Sequence, residues 1–209
     1  MCSSVYFKYM PTYYKMRSFL FAFSLCVLFG STAKADPFPS GRCYVYDCYS
    51  SPWDISWTSS NTSNIAGAET NACFTVNRKP GICFDASRYD CCTTLGSNLH
   101  KIVLASSANC QGSVVKVTVN GTVKSGGVFF ELGDDIGNTD DTAELILTTL
   151  RLYANIADGT TICLHLKKPC ASIDDFCIEH KSGLCKFSMY DAAMKCCPTC
   201  FMLNKKTII

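Results

Sequence analysis

Fourteen cysteines lie between Cys43 and Cys200, and their spacing decides which chemistry the chain is built for. A thiol can act as a redox centre, a metal ligand or a crosslink. Cys197-Pro198-Thr199-Cys200 is a CxxC, a spacing shared by zinc sites and thioredoxin-type redox centres. No second CxxC stands at zinc-finger distance, and this one ends a β-rich region instead of opening a helix in a βαβ unit. His165 with Cys170, and His180 with Cys185, do not complete a ligand set either. The spacing thus predicts no metal site and no cofactor.

Crosslinks remain. An even number of cysteines at this density predicts disulfides among Cys43, Cys48, Cys73, Cys83, Cys91, Cys92, Cys110, Cys163, Cys170, Cys177, Cys185, Cys196, Cys197 and Cys200, formed in an oxidising compartment. The pairing is not written in the sequence. Neighbouring side chains on an extended backbone point to opposite faces, so Cys91 and Cys92 should each staple a different element, as should Cys196 and Cys197.

Other reactive constellations are missing. The three histidines, His100, His165 and His180, accompany no G-x-S-x-G elbow, HExxH or phosphate-cradling glycine loop. No catalytic residue is predicted, and the chain reads as a non-enzyme. The acidic stretch Glu131 to Glu144 offers Asp134, Asp135, Asp140 and Asp141 to calcium, but without EF-hand spacing it reads as a solvated loop.

Export is predicted from the first 35 residues. Lys15 and Arg17 precede an apolar run from Phe19 to Phe29, and Ala33-Lys34-Ala35 has the small-x-small form of a signal-peptidase site. The run is too short to span a bilayer, so no membrane association is expected after cleavage. Secretion gives meaning to two N-x-[ST] acceptors, Asn61 and Asn120. Of nineteen basic residues four lie in this leader, leaving fifteen against seventeen acids, so no basic surface for nucleic acid is expected.

The elements that must position these groups read as β. Val114 to Val119 alternates, with Val115, Val117 and Val119 on one face, and Asn120-Gly121 supplies a hairpin turn. ACFTVN and LHKIVLAS read as further strands. Ile146, Thr148, Leu150 and Leu152 alternate, as do Ile162, Leu164 and Leu166, with Asp158-Gly159 between them predicting a second hairpin. Ser59 to Asn71 reads as a polar loop. Ser172 and Asp175 predict one capped short helix, stopped at Gly183, LCKFSMY a last strand, and the tail from Phe201 has no evident partner. Tyr44, Tyr46, Trp53 and Trp57 could form a platform on which sugar rings stack, or fill a core.

The order of these features carries a resemblance. CQGSVVKVTVNG, then GTTICLHLKKPC, then KCCPTC, together with the cysteine spacing from about Phe38 to Cys200, resemble the pherophorin domain of volvocine green algae. Members of that family are cysteine-rich glycoproteins of the extracellular matrix and cell wall, and some act as sexual-inducer signals. The resemblance implies a secreted structural or matrix-binding module whose partners are matrix glycoproteins or polysaccharide, with a diffusible signal or a carbohydrate-binding module as alternatives. The long proline-rich rod typical of the family has no counterpart among the seven prolines here. The expected organisation is a signal peptide at 1–35, one disulfide-rich, antiparallel β-sandwich-like domain with a short helix at 36–204, and a tail at 205–209. The oligomeric state is not legible.

Overall fold

The computed structural model describes residues 38–81, 83, 90–132, 141–177 and 184–203. The chain divides between Asp36 and Pro37, and the leader, the acidic residues 133–140, His180 and residues 204–209 lie outside the described residues. In chain order the strands are β1 (Trp53–Thr62), β2 (Thr70–Arg78), β3 (Asn98–Leu99), β4 (Lys101–Ser107), β5 (Val114–Val119), β6 (Thr122–Val123), β7 (Val128–Leu132), β8 (Thr142–Leu147), β9 (Leu152–Tyr153), β10 (Thr161–Leu166), β11 (Leu184–Tyr190) and β12 (Thr199–Leu203). The helices among the described residues are short: α1 (Cys91–Ser97), α2 (Ala154–Ala157) and α3 (Ile173–Phe176).

Ten of the strands build two antiparallel sheets. The first has the order β1-β2-β10-β5-β6 and the second β12-β11-β4-β8-β7, while β3 and β9 pair separately. Alternation sends Ile55, Trp57, Phe74, Val76, Ile162 and Leu164 inward from the first sheet, and Ile102, Leu104, Leu145, Leu147, Phe187 and Met189 inward from the second, into one shared core. This is the mainly β, disulfide-rich, antiparallel architecture expected from the sequence.

Several local expectations are corrected. Asn120 and Gly121 do adopt positive φ, 48° and 78°, in a two-residue turn that pairs Val119 with Thr122. The register slips between His165 and Leu166, however, so a bulge replaces Val115 with Val114 as the core-packed residue beside Val117 and Val119. The alternation from Ile146 to Leu152 is not a strand. β8 lies earlier, buried throughout from Ala143 to Leu147, and the backbone turns at Thr149 and Arg151, whose φ values are 55° and 51°. Nor do β8 and β10 pair, since they belong to different sheets and α2 stands between them.

Ser59 to Thr62 extend β1 instead of forming a loop, with Ser59 opposite Cys73 and Asn61 opposite Asn71. Phe201 is not in a fraying tail, because β12 pairs with β11 and places Phe201 opposite Lys186. The helix capped by Ser172 forms, the Asp175 N–H donating to its Oγ at 3.1 Å, but it ends at Phe176, well before Gly183.

Candidate interaction surface

All fourteen cysteines are paired, and the bridges converge on one segment. Within the stretch from Asp191 to Cys200, Cys196 bonds Cys91, Cys197 bonds Cys43 and Cys200 bonds Cys48. The members of the CxxC therefore hold different partners and do not bond each other. Asp191, buried, organises this hub: its Oδ1 accepts the N–H groups of Lys195 and Cys196, both at 2.9 Å. The other bridges are Cys73–Cys163, Cys83–Cys92, Cys110–Cys170 and Cys177–Cys185. Each doublet does tie two elements. For Cys91 and Cys92 the geometric reason is a helix, not an extended chain: Cys91 points into the core with Leu95 one turn on, while Cys92 faces sideways to Cys83.

The hub holds a strap, residues 38–47, against the outer face of the second sheet. Tyr44 N–H donates to the Lys195 carbonyl, Cys197 N–H to that of Val45 and Thr199 N–H to that of Tyr46, each at 2.9 Å. Under the strap runs a cross-strand row, Ser188 on β11, Val103 on β4 and Ile146 on β8, which continues beyond it to the exposed Phe129 on β7. Phe38 and Cys43 pack against Val103, Ile146, Tyr190 and Cys197 in a second apolar cluster. The strap is also pinned by charge. Ser40 donates from its backbone N–H and its Oγ to the two carboxylate oxygens of buried Glu144, at 2.7 and 2.8 Å.

Burial raises the Glu144 pKa, against the pull of the Ser40 hydrogen bonds and of Lys101. The Lys101 ammonium lies 3.7 Å from the centre of the Tyr190 ring, and burial lowers its pKa. Tyr190 is pushed upward, chiefly by its own desolvation.

The strap places aromatic rings outward. Val45 points in, between Tyr44 at 67% exposure and Tyr46 at 44%; Tyr49, in the turn that follows, is 76% exposed. The Tyr46 hydroxyl is engaged, accepting from Cys43 N–H at 2.9 Å and donating to the Gly41 carbonyl at 3.1 Å. Trp53 and Trp57 do not join them, a correction to the four-residue stacking platform. Both face inward from β1, Trp53 fully buried with its indole N–H donating to the Leu95 carbonyl at 2.8 Å, and Trp57 opposite Phe74. The exposed set is Tyr44, Tyr46 and, missed in the sequence, Tyr49.

The outer face of the first sheet is different in kind. One row crosses four strands as Asn61, Asn71, His165 and Lys116, and the next holds the Cys73–Cys163 bridge with Thr118. Its polar groups bond each other: Asn77 Nδ2–H donates to Ser56 Oγ at 2.8 Å, and His165 lies between Ser63 Oγ at 2.9 Å and Thr118 Oγ1 at 3.3 Å. Burial, and secondly Lys116, lower the His165 pKa, which favours the neutral ring. Both glycan acceptors belong to this sheet. Asn61 is exposed on edge strand β1, and Asn120 is exposed at the β5–β6 turn with its Oδ1 taking the Thr161 N–H at 2.9 Å, so its Nδ2 remains for a sugar.

Of the calcium candidates, Asp134, Asp135 and Asp140 lie outside the described residues and Asp141 is exposed. Among the described residues no group of three or more potential ligands converges, and no helix is long and apolar enough to cross a membrane.

No curated protein and no solved structure matches the chain. The family model described as pherophorin matches residues 38–198, from the first residue of the strap to the proline that follows the hub's cysteine doublet. That span takes in the whole first sheet, every strand of the second except β12, and all of the bridges except the one closed by Cys200. The chain belongs to the pherophorin family, whose members are proteins of the extracellular matrix.

Proposed function

We propose that the chain is a secreted, non-enzymatic glycoprotein of the extracellular matrix whose folded surface binds matrix glycoproteins or polysaccharide. The observation that carries this reading is the strap and the turn that follows it, where Tyr44, Tyr46 and Tyr49 stand exposed on a short segment held by Cys43–Cys197 and Cys48–Cys200. An aromatic ring that is already fixed loses little entropy on contact, and a stapled segment keeps that advantage outside the cell. Family membership and seven disulfides support export, and glycans at Asn61 and Asn120 fit the polar face that carries them.

Fractionation tests the role. The mature protein is expected to stay with washed matrix and to lose retention when Tyr44 and Tyr49 are both changed to Ala. Recovery only from spent medium would favour the diffusible signal. If polysaccharide is the ligand, binding should fall in the same variant and should leave the fluorescence of Trp57, which is buried, unchanged.

A further inference from the structure

The two sheets have four edge strands, and three are guarded. β1 carries the Asn61 acceptor and packs beside β12, so these two close one side of the sandwich. β6 is two residues long, and the β5 strand behind it is bulged at Val115, carries Lys116 and ends at the Asn120 acceptor. Charge, bulges, short strands and bulky substituents are the usual defences of a sheet edge. β7 has neither a bulge nor a glycan acceptor, and its one charge, Glu131, stands among four apolar residues. It runs Val128-Phe129-Phe130-Glu131-Leu132, pairs with β8 without a slip, and leaves Phe129 53% exposed.

The hydrogen-bond parity of β7 is fixed. Thr148 N–H donates to the Gly127 carbonyl at 2.7 Å, so Gly127, Phe129 and Glu131 turn their backbone groups toward β8. Val128, Phe130 and Leu132 turn theirs outward, to an edge that no other strand pairs among the described residues. We infer that this edge is where two copies of the chain associate, β7 pairing antiparallel with its own counterpart about a two-fold axis through Phe129. That register makes hydrogen-bonded pairs of Val128 with the second copy's Phe130. It sets the two Phe129 rings at the closer, non-hydrogen-bonded position, where aromatic pairs gain most. The only charge on β7, Glu131, then faces a glycine, Gly127, and not its own counterpart. A second copy is thus the occupant whose side chains the strand already complements.

The axis stands perpendicular to the sheet, so the outer faces of both second sheets, straps included, lie on one side. If the strap binds matrix as proposed above, the pair engages it twice, which raises retention without any new contact.

Sedimentation of the full secreted, glycosylated chain over a wide concentration range tests the pairing. A monomer–dimer equilibrium is expected, with the dissociation constant raised about tenfold or more by Phe129→Lys. Phe201→Lys, an equally exposed phenylalanine on the opposite edge strand of the same sheet, should leave it unchanged. Val128→Pro removes an outward N–H without touching the β7–β8 ladder and should also abolish the dimer. Should a variant fail to fold, hydrogen exchange of the unaltered protein decides, since the Val128, Phe130 and Leu132 amides should gain protection as concentration rises. A monomer at every concentration, a dimer insensitive to Phe129→Lys and Val128→Pro, or one equally sensitive to Phe201→Lys overturns the inference. So does protection of those amides only on adding matrix extract, which would assign the edge to another chain.

Discussion

The two outer faces of the sandwich are built from the same kind of strand and end up opposite in character. On the first sheet the outward positions hold the Cys73–Cys163 bridge among Asn, Ser, Thr, His, Lys and Asp, several of which hydrogen-bond one another across the strands. On the second they include Val103, Ala105, Ile146 and Phe129, and a strap from the chain's own N-terminal side must cover most of them. A polar face needs no lid and can carry a glycan. An apolar face needs one, and the lid requires fastening by disulfides, because ten residues without regular structure have too few backbone hydrogen bonds to remain docked alone. The comparison locates the exposed tyrosines as well, since they stand on the lid.

Cutting a bridge on each face should separate them most. Replacing Cys43 and Cys197 together by Ser is expected to cost about 2–5 kcal/mol and to release the strap, exposing Val103 and Ile146. Replacing Cys73 and Cys163 together removes a bridge between two strands that remain paired, over polar surroundings. Thermal unfolding with a hydrophobic dye reads the difference: dye binding before the main transition in the first variant only. Early dye binding in both, or in neither, would dissolve the distinction between a lidded and an open face.

Single charges give the next largest contrast. Val103→Asp puts an unpaired carboxylate beneath the strap and should destabilise by about 3–5 kcal/mol, whereas Thr75→Asp on the open face should cost only about 0.5–1.5 kcal/mol, the worth of its bond to Thr58. Denaturant midpoints compare the two. Asp191→Ala falls between these: it leaves the Lys195 and Cys196 N–H groups without their acceptor at the hub and should cost about 1–3 kcal/mol.

Much of this contrast was legible in the sequence, and the failures share one cause. Cysteine number and density gave the staples, and the residues at which Asn120 and Gly121 turn were plain, because each rests on local chemistry. What lies on the far side of a strand is not local. β8 is the fourth strand of a sheet covered on both faces, so it reads as the continuous apolar run Ala143 to Leu147, and the alternation downstream of it was a coincidence of composition. Tyr44 and Trp57 looked alike as aromatic material for a platform. Only the pairing of Trp57 with Phe74 on an inward row, and of Val45 with Cys196 on the strap, sends one in and the other out. α1 carried a signal that passed unread: Asp90 as N-cap, its Oδ1 accepting Thr93 N–H at 3.2 Å, ahead of Cys91 and Leu95 at helical spacing.

The glycan acceptors sharpen the contrast with little energy at stake. Asn61→Gln and Asn120→Gln should each speed electrophoretic migration of the secreted protein by one glycan while moving stability within about 0.5 kcal/mol, since both sites are exposed. Asn120→Gln should cost the more, because the longer side chain suits neither the positive φ of 48° nor the bond from Thr161 N–H. Unchanged migration in both variants would remove glycosylation as the use of the polar face.

The subtlest test is on the lidded face and uses pH. The Glu144 pKa is raised by burial, so the folded protein holds that proton more tightly than the unfolded chain does. The resulting contribution to stability is fully present below the unfolded value and is lost as pH rises through the folded value. Gln at this position cannot ionise and still offers Ser40 one acceptor oxygen. Measured against the unaltered protein, Glu144→Gln should therefore gain relative stability as pH climbs from the ordinary carboxylate range toward neutrality, whatever its absolute cost. Thr75→Asp, an added carboxyl on the open face, should show no such upward trend. A flat or falling difference for Glu144→Gln would mean that Ser40 and Lys101 compensate the buried charge in full, and that the strap is fastened by an ion whose burial costs nothing.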